Sequence, residues 1–271
     1  MEKDPIPQLL AQVSADNLRR NLFSLCKDPL PYRKLSYTIP GHDKCTLYEA
    51  DDFIEAQLRS WGYTVEKQGV EVQSFRCDES KPKAHRYSAP QPEDPWYTAY
   101  NLSARITGST KPEETIVLVA HKDSQSWVDS PGAADNGVGT VSVLEIARIL
   151  SRYPARRSLW FLFCNEEHWP WTSANAAVSA RERGENVVAV INLDSVSGKA
   201  KAVSDAGRKT NVARYTAPEG KRLADLMALV NEQYRIGLEE YSYWKEIPND
   251  DDGSFIKAGF PCAIACLGSF P

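Results

Sequence analysis

The sequence predicts an α/β fold: a single domain with a mixed, mainly parallel central sheet and helices on both faces. Three observations carry that expectation. The runs "TIVLVA" (115–120), "SLWFLFC" (158–164) and "VVAVINL" (187–193) are continuously apolar, the pattern of strands covered on both faces. "VGTVSVLEIARIL" (138–150) reads as a helix between the first two, and strands alternating with helices imply parallel neighbours joined by crossovers. At 271 residues and 42% apolar composition, one domain spanning 1–271 can bury a sizeable core.

Taken in order, "TLYEADDFIEAQLRSWG" places Leu47, Ala50, Phe53, Ile54, Leu58 and Trp61 at helical spacing and stops at Gly62. The polar, Pro-rich stretch 76–98 reads as a surface loop. "YNLSARI" (100–106) alternates as a half-buried strand. After the three central strands, Asp250, Asp251 and Asp252 read as a solvated cap to a helix over 253–258, and "ACLGSFP" follows as the last strand region.

Charge and composition exclude some functions. The net charge is −4 and the basic residues are scattered, which argues against a nucleic-acid partner. No apolar run approaches the ~18 residues of a membrane span, and the N-terminus lacks a signal pattern. A cytoplasmic protein is expected; a secreted chain with its leader removed fits equally. Six cysteines form no CxxC pair, and Cys164, Cys262 and Cys266 lie in apolar runs as free buried thiols, while a Cys45–Cys77 bridge is open.

Polar residues stand at informative places. His121 and Asp123 follow the first central strand, Glu166 and Glu167 the second, and Asp194 the third. In an open α/β sheet, ligands bind outside the carboxyl ends of the strands, so these groups should converge. Singly, each has an ordinary explanation as a surface pair, a solvated charge or a helix cap. Their repetition at successive strand ends points instead to a divalent-metal site. Imidazole with carboxylates suits zinc, with manganese or cobalt as alternatives, and the absence of a cysteine set argues against a structural zinc.

The run His121-x-Asp123, then "PGAADNGVGTVSVLE" with Asp135, "FLFCNEE" with Glu166 and Glu167, and "NLD" ending at Asp194, resembles the M28 family of zinc peptidases. The lead-in "GYTVEKQGVEVQSF" is similar to that family as well. The resemblance implies a metal-dependent hydrolase, an aminopeptidase acting on peptide substrates with two zinc ions. Asp135 would bridge the ions, His121 and Asp194 would complete one site, and Glu167 would bind the other. Asp123 would accept the second ring N–H of His121. Glu166 would be the general base. The resemblance also implies a cis peptide between Asp135 and Asn136. Gly137 and Gly139 let the chain bend behind Asp135 and the next helix pack close to the sheet.

The chain departs from the family's pattern at several points. Ala134 stands where a second Asp is usual, and "NDDDG" stands where Ser-Asp-His is usual. "EEHWPW" replaces a Gly-containing turn, and its Trp169 and Trp171 are similar to the aromatics of the related glutaminyl cyclases, which keep one zinc. Together with Trp127, Tyr243 and Trp244 they suit either an apolar pocket or packing. The four histidines are 42, 85, 121 and 168, and none follows the last strand, so the family's C-terminal segment with its remaining zinc-binding His is expected to be lacking. Zinc is then expected to bind weakly, or only in the site of His121, Asp135 and Asp194. The alternatives are a glutaminyl-cyclase-like acyltransferase and a non-catalytic binding member.

Overall fold

The apolar runs become the middle of a nine-stranded mixed sheet. The computed structural model describes residues 4–197 and 201–268. In chain order its strands are β1 (Val65–Ser74), β2 (Arg76–Cys77), β3 (Tyr87–Ser88), β4 (Trp96–Ile106), β5 (Lys111–His121), β6 (Arg157–Cys164), β7 (His168–Trp169), β8 (Asn186–Leu193), β9 (Thr210–Tyr215), β10 (Glu239–Trp244) and β11 (Ala263–Leu267). The helices are α1 (Ile6–Leu10), α2 (Ala15–Cys26), α3 (Thr46–Ser60), α4 (Val138–Leu150), α5 (Thr172–Glu182), α6 (Lys201–Asp205), α7 (Pro218–Gln233) and α8 (Asp250–Lys257). Residues 269–271, the end of the "ACLGSFP" stretch, lie outside the described residues.

The sheet runs β10-β9-β11-β8-β5-β6-β4-β1-β7. Its centre, β11-β8-β5-β6, is parallel, and β4, β1 and β7 extend it antiparallel on one side. Alternation along the central strands sets the two layers. Leu118, Ala120, Phe161 and Phe163 face Ile54 and Leu58 of α3 and Val143, Leu144 and Ala147 of α4. Val117, Val119, Trp160 and Leu162 face Ala176, Ala177 and Ala180 of α5 and Phe255 of α8. Successive side chains of a strand point to opposite faces, so a continuous apolar run feeds both layers. Helix α3 ends as its sequence implies, with Gly62 at φ +92° donating its N–H to the Arg59 carbonyl.

The structure corrects three expectations. The stretch 76–98 is not wholly loop: β2 and β3 pair Arg76 with Ser88 and Cys77 with Tyr87, and β4 begins at Trp96. Backbone pairing does not require apolar side chains, and here aromatics hold it, with Tyr87 stacked on Trp127 at 4.9 Å and Phe75 edge-on to Trp127 at 5.5 Å. Trp127 therefore packs in this cluster. Cys45 and Cys77 are both free, Cys45 at the start of α3 and Cys77 on β2. Helix α8 starts at Asp250, three residues earlier than expected, so the aspartates form its first turn, and Asp251 and Asp252 are buried. Among the described residues no helix is long and apolar enough to cross a membrane.

Candidate metal centre

Register brings the predicted residues to one edge. In the parallel ladder His121 pairs with Cys164, and Val119 with Asn192, so β5, β6 and β8 end at nearly one level. Glu166 and Glu167, just past β6, and Asp194, just past β8, therefore emerge beside His121. Asp135 arrives differently, on an irregular turn (133–137) entering α4. A fully buried guanidinium holds the loop before it: Arg33 donates to the carbonyls of Lys122 at 2.6 Å, Pro131 at 2.8 Å and Gly132 at 2.9 Å. The next residue, Asn136, ties the turn to the end of β8. Its Nδ2 donates to the Leu193 carbonyl at 2.8 Å, and its Oδ1 accepts from the N–H groups of Gly139 at 3.0 Å and Ser195 at 3.1 Å. The Asp135–Asn136 peptide is cis.

The glycines act as the sequence implies at one point and differently at another. A Cβ on Gly139 would stand 2.1 Å from the Leu193 carbonyl oxygen, so close approach of α4 to the sheet requires glycine there. The positive φ of the bend belongs instead to Gly132, at +57°.

Donor geometry fits a small dication. His121 Nε2 lies 3.1 Å from Asp135 Oδ1 and 3.7 Å from Asp194 Oδ1, and the three donor atoms lie within 4.8 Å of one another. Zinc bound at ~2.0–2.1 Å to nitrogen and oxygen in a tetrahedron separates its ligands by about 3.4 Å, which the two distances bracket. Behind the ring, Asp123 is wholly buried and takes four donors: His121 Nδ1 at 3.3 Å, His168 Nδ1 at 2.7 Å, and the backbone N–H groups of Glu166 at 3.0 Å and Glu167 at 2.9 Å. Burial opposes its ionisation, but the two imidazoles outweigh burial and hold the carboxyl well below the usual range. His121 is likewise lowered by burial yet raised on balance by Asp123, Asp135 and Asp194.

A second acidic group shares Asp194. Oxygens of Glu166, Asp194 and Asp250 also lie within 4.8 Å of one another. Glu167 belongs to neither group among the described residues, although its carboxyl, raised to about 8 chiefly by burial, feels Asp135, Asp123 and Asp194. The expectation that Asp250, Asp251 and Asp252 are a solvated cap is therefore wrong. Side chains in a helix's first turn lean back over its N-terminus, here toward the strand ends. Arg214, on β9, pairs with Asp250 and, at 2.8 Å, with Asp252, while Cys164 donates to Asp251 at 3.0 Å.

Burial first, then the charges of Asp251 and Asp250, pushes the Glu166 carboxyl well up, and burial raises Asp251 to about 6. Among the described residues the Glu166 Oε2 atom is buried without a hydrogen-bond partner. So many carboxyl groups held against ionisation, one with an orphaned oxygen, make a site whose negative charge Arg214 and His121 only partly balance.

His168, given no role in the sequence, and Asp250, read there as a solvated cap, both belong here. His168 is in neither donor group among the described residues; it braces Asp123. A histidine directly after the paired glutamates, and three acids ahead of the last strand of the same sheet, were the available signals. Beside the site, Trp169 and Trp171 line a cleft of about 450 Å³ together with Ala174, Val178, Asn249 and Lys257.

Comparisons with known proteins identify the relatives of this chain. Residues 101–266 match peptidase family M28. Leucine aminopeptidase 1 of Emericella nidulans is 25% identical over 79% of this chain and 50% of its own length. A probable zinc metalloprotease of Pyrenophora teres f. teres is 26% identical over 76% of this chain and 41% of its own. The chain thus spans about half the length of the curated relatives it matches. Among solved structures, the LapA aminopeptidase of Legionella pneumophila superposes with a TM-score of 0.68 at 20% identity, covering 99% of this chain and 67% of its own. A Bacteroides thetaiotaomicron glutaminyl cyclase does so with 0.67 at 15%, covering 96% and 86%. The match spans more than half of the sequence and contains all six site residues predicted from it, so the chain belongs to peptidase family M28.

Proposed function

We propose that this chain carries the active site of a zinc-dependent aminopeptidase that releases N-terminal residues from peptides. The observation that carries the reading is the meeting of His121, Asp135 and Asp194 at tetrahedral spacing, with the Glu166 carboxylate in the adjoining group around Asp194. His121, Asp135 and Asp194 would hold one zinc ion; Glu167, which joins neither donor group among the described residues, would take part in a second only as the family resemblance implies. When bound, zinc supplies a Lewis acid for the scissile carbonyl and brings the pKa of a water towards ~7.

The protein's own residues do the rest. Asp123 accepts the Nδ1–H of His121, which fixes the tautomer that presents Nε2 as a lone pair towards Asp135 and Asp194. Glu166 takes the proton from the attacking water and returns it to the departing amine. Its raised pKa makes it a better proton acceptor than an ordinary carboxylate. Exopeptidase action needs recognition of the free α-ammonium, and the acidic edge of Glu166, Asp194 and Asp250 supplies the opposite charge. The names of the curated relatives support the same chemistry.

The test is zinc content and hydrolysis of a leucyl anilide measured side by side on the same preparation. Zinc bound in proportion to anilide hydrolysis, both abolished by Asp194→Asn, is expected. Bound zinc with no hydrolysis, while an N-terminal glutaminyl peptide cyclises, would overturn the reading in favour of acyl transfer.

A further inference from the structure

Beneath the edge lies a charge pair that the reaction above does not use. Lys122 and Asp51 are 0% and 2% exposed, and Lys122 Nζ stands 2.8 Å from Asp51 Oδ1. Among the described residues this is the one salt bridge of the Asp51 carboxylate, with Lys67 adding a more distant positive charge. Taking two charges out of water costs more than their attraction commonly returns, and an apolar pair of similar volume is often as stable or more so. The pair therefore calls for an explanation other than stability.

Its position supplies one. Lys122 directly follows His121, and its ammonium also donates to Asn165 Oδ1 at 2.7 Å. Asn165, fully buried, directly precedes Glu166. Its side-chain amide donates to the Tyr100 carbonyl on β4 and to Thr172 Oγ1, each at 3.2 Å. Its backbone N–H donates to Thr172 Oγ1 at 2.8 Å, and its carbonyl accepts from the Thr172 N–H at 3.0 Å. Thr172 Oγ1 in turn donates to Asn101 Oδ1 at 2.6 Å. Glu166 and Glu167 leave β6 beyond this knot, and two adjacent glutamates given different tasks must leave the strand in a fixed direction.

We propose that Lys122 is a positioning residue: its ammonium ties the strand end carrying His121 to Asn165 and so sets the direction of Glu166, with Asp51 as the counter-charge that lets the ammonium be buried. The inference rests on the reading of Glu166 as the base, but its geometric part is measurable without activity.

Removing Lys122 alone strands a buried carboxylate, so the test compares two double variants. Asp51→Leu with Lys122→Met removes both charges and the donor to Asn165. Asp51→Asn with Lys122→Gln removes both charges but keeps a donor. Each is measured for thermal midpoint, for kcat and KM on a leucyl anilide with zinc, and for amide hydrogen exchange in the zinc-free protein.

For the Leu/Met pair the expected result is a kcat lower by about 10- to 100-fold, the scale of a small misplacement of a reacting group, with KM within about twofold. The Glu166 and Glu167 amides, which donate to Asp123, exchange about 10-fold faster or more while Leu162 on β6 is unchanged. The Asn/Gln pair recovers most of both losses. Unchanged kcat and unchanged Glu166 and Glu167 exchange in the Leu/Met pair would overturn the proposal. So would losses in both double variants that simply follow their thermal midpoints. A wild-type protein that binds zinc and hydrolyses nothing would sink the proposed function instead, and the exchange data would still judge Lys122.

Discussion

Replacing Glu167 by Gln is expected to stabilise the metal-free protein and, in the same molecule, weaken its hold on zinc. The Glu167 carboxyl is raised from 4.5 to about 8, first by burial, with Asp135, Asp123 and Asp194 adding to it against the opposing pull of His121. Between those two values the folded protein keeps a proton that the unfolded chain has released, so this group lowers stability progressively as pH rises through that window. At pH 7 the difference spans about 2.5 pH units, or about 3.4 kcal/mol at 1.36 kcal/mol per unit. Glu167 keeps some contact with solvent, and screening reduces the figure to about 2 kcal/mol. Glutamine carries no such penalty. In chelator at pH 7 the variant should therefore melt roughly 4–8 °C above wild type. The difference should vanish near pH 4 and be largest near pH 8. Zinc affinity should fall by about 10- to 100-fold or more. Thermal unfolding in chelator from pH 4 to 8.5, with zinc affinity from competition with a chromophoric chelator, checks both signs. A variant no more stable than wild type at pH 8 would show that the Glu167 carboxyl ionises freely, and the electrostatic account of the site would fail with it.

Glu166→Gln should keep zinc affinity and fold but lower kcat on aminoacyl anilides by about 10²–10⁴, because an amide cannot take the proton from water; turnover within tenfold of wild type would remove Glu166 from its role. Gly139→Ala places a methyl group 2.1 Å from the Leu193 carbonyl oxygen, against backbone that cannot step aside. It should cost about 3 kcal/mol in denaturant unfolding and weaken zinc binding as well, since Asp194 follows Leu193. Arg214→Met leaves Asp250 and Asp252 without their cation and should cost about 3–5 kcal/mol at pH 8. That loss should shrink on acidification below the Asp252 pKa, already raised to about 7 by burial, as that carboxyl protonates. A loss independent of pH would contradict the pairing.

Much of the site was legible because strand-end positions follow from local pattern. The helix predicted over 138–150 is α4 residue for residue, and the three apolar runs are β5, β6 and β8 to within a few residues. Once parallel strands end at one level, the polar residue after each must meet its counterparts, so His121, Asp123, Glu166, Glu167 and Asp194 could be grouped from order alone. Asp135 depended on the family resemblance, because it reaches the edge on a turn whose course is set by distant contacts from Arg33 and Asn136.

Other features were decided only by the tertiary structure. The polarity of Asp250, Asp251 and Asp252 reads as exposure, yet Asp251 and Asp252 are buried: Arg214 of β9 supplies the compensating charge to Asp252, the Cys164 thiol donates to Asp251, and α8 begins early enough to turn both inward. His168 and Lys122 sit beside named residues in the sequence, and nothing local distinguishes them from solvated side chains. Their partners, Asp123 for one and Asp51 and Asn165 for the other, lie far away along the chain. Periodicity reports which face of an element is apolar. It carries no information about which buried polar group will find its opposite charge across the fold, and that pairing determines whether a buried charge is tolerated at all.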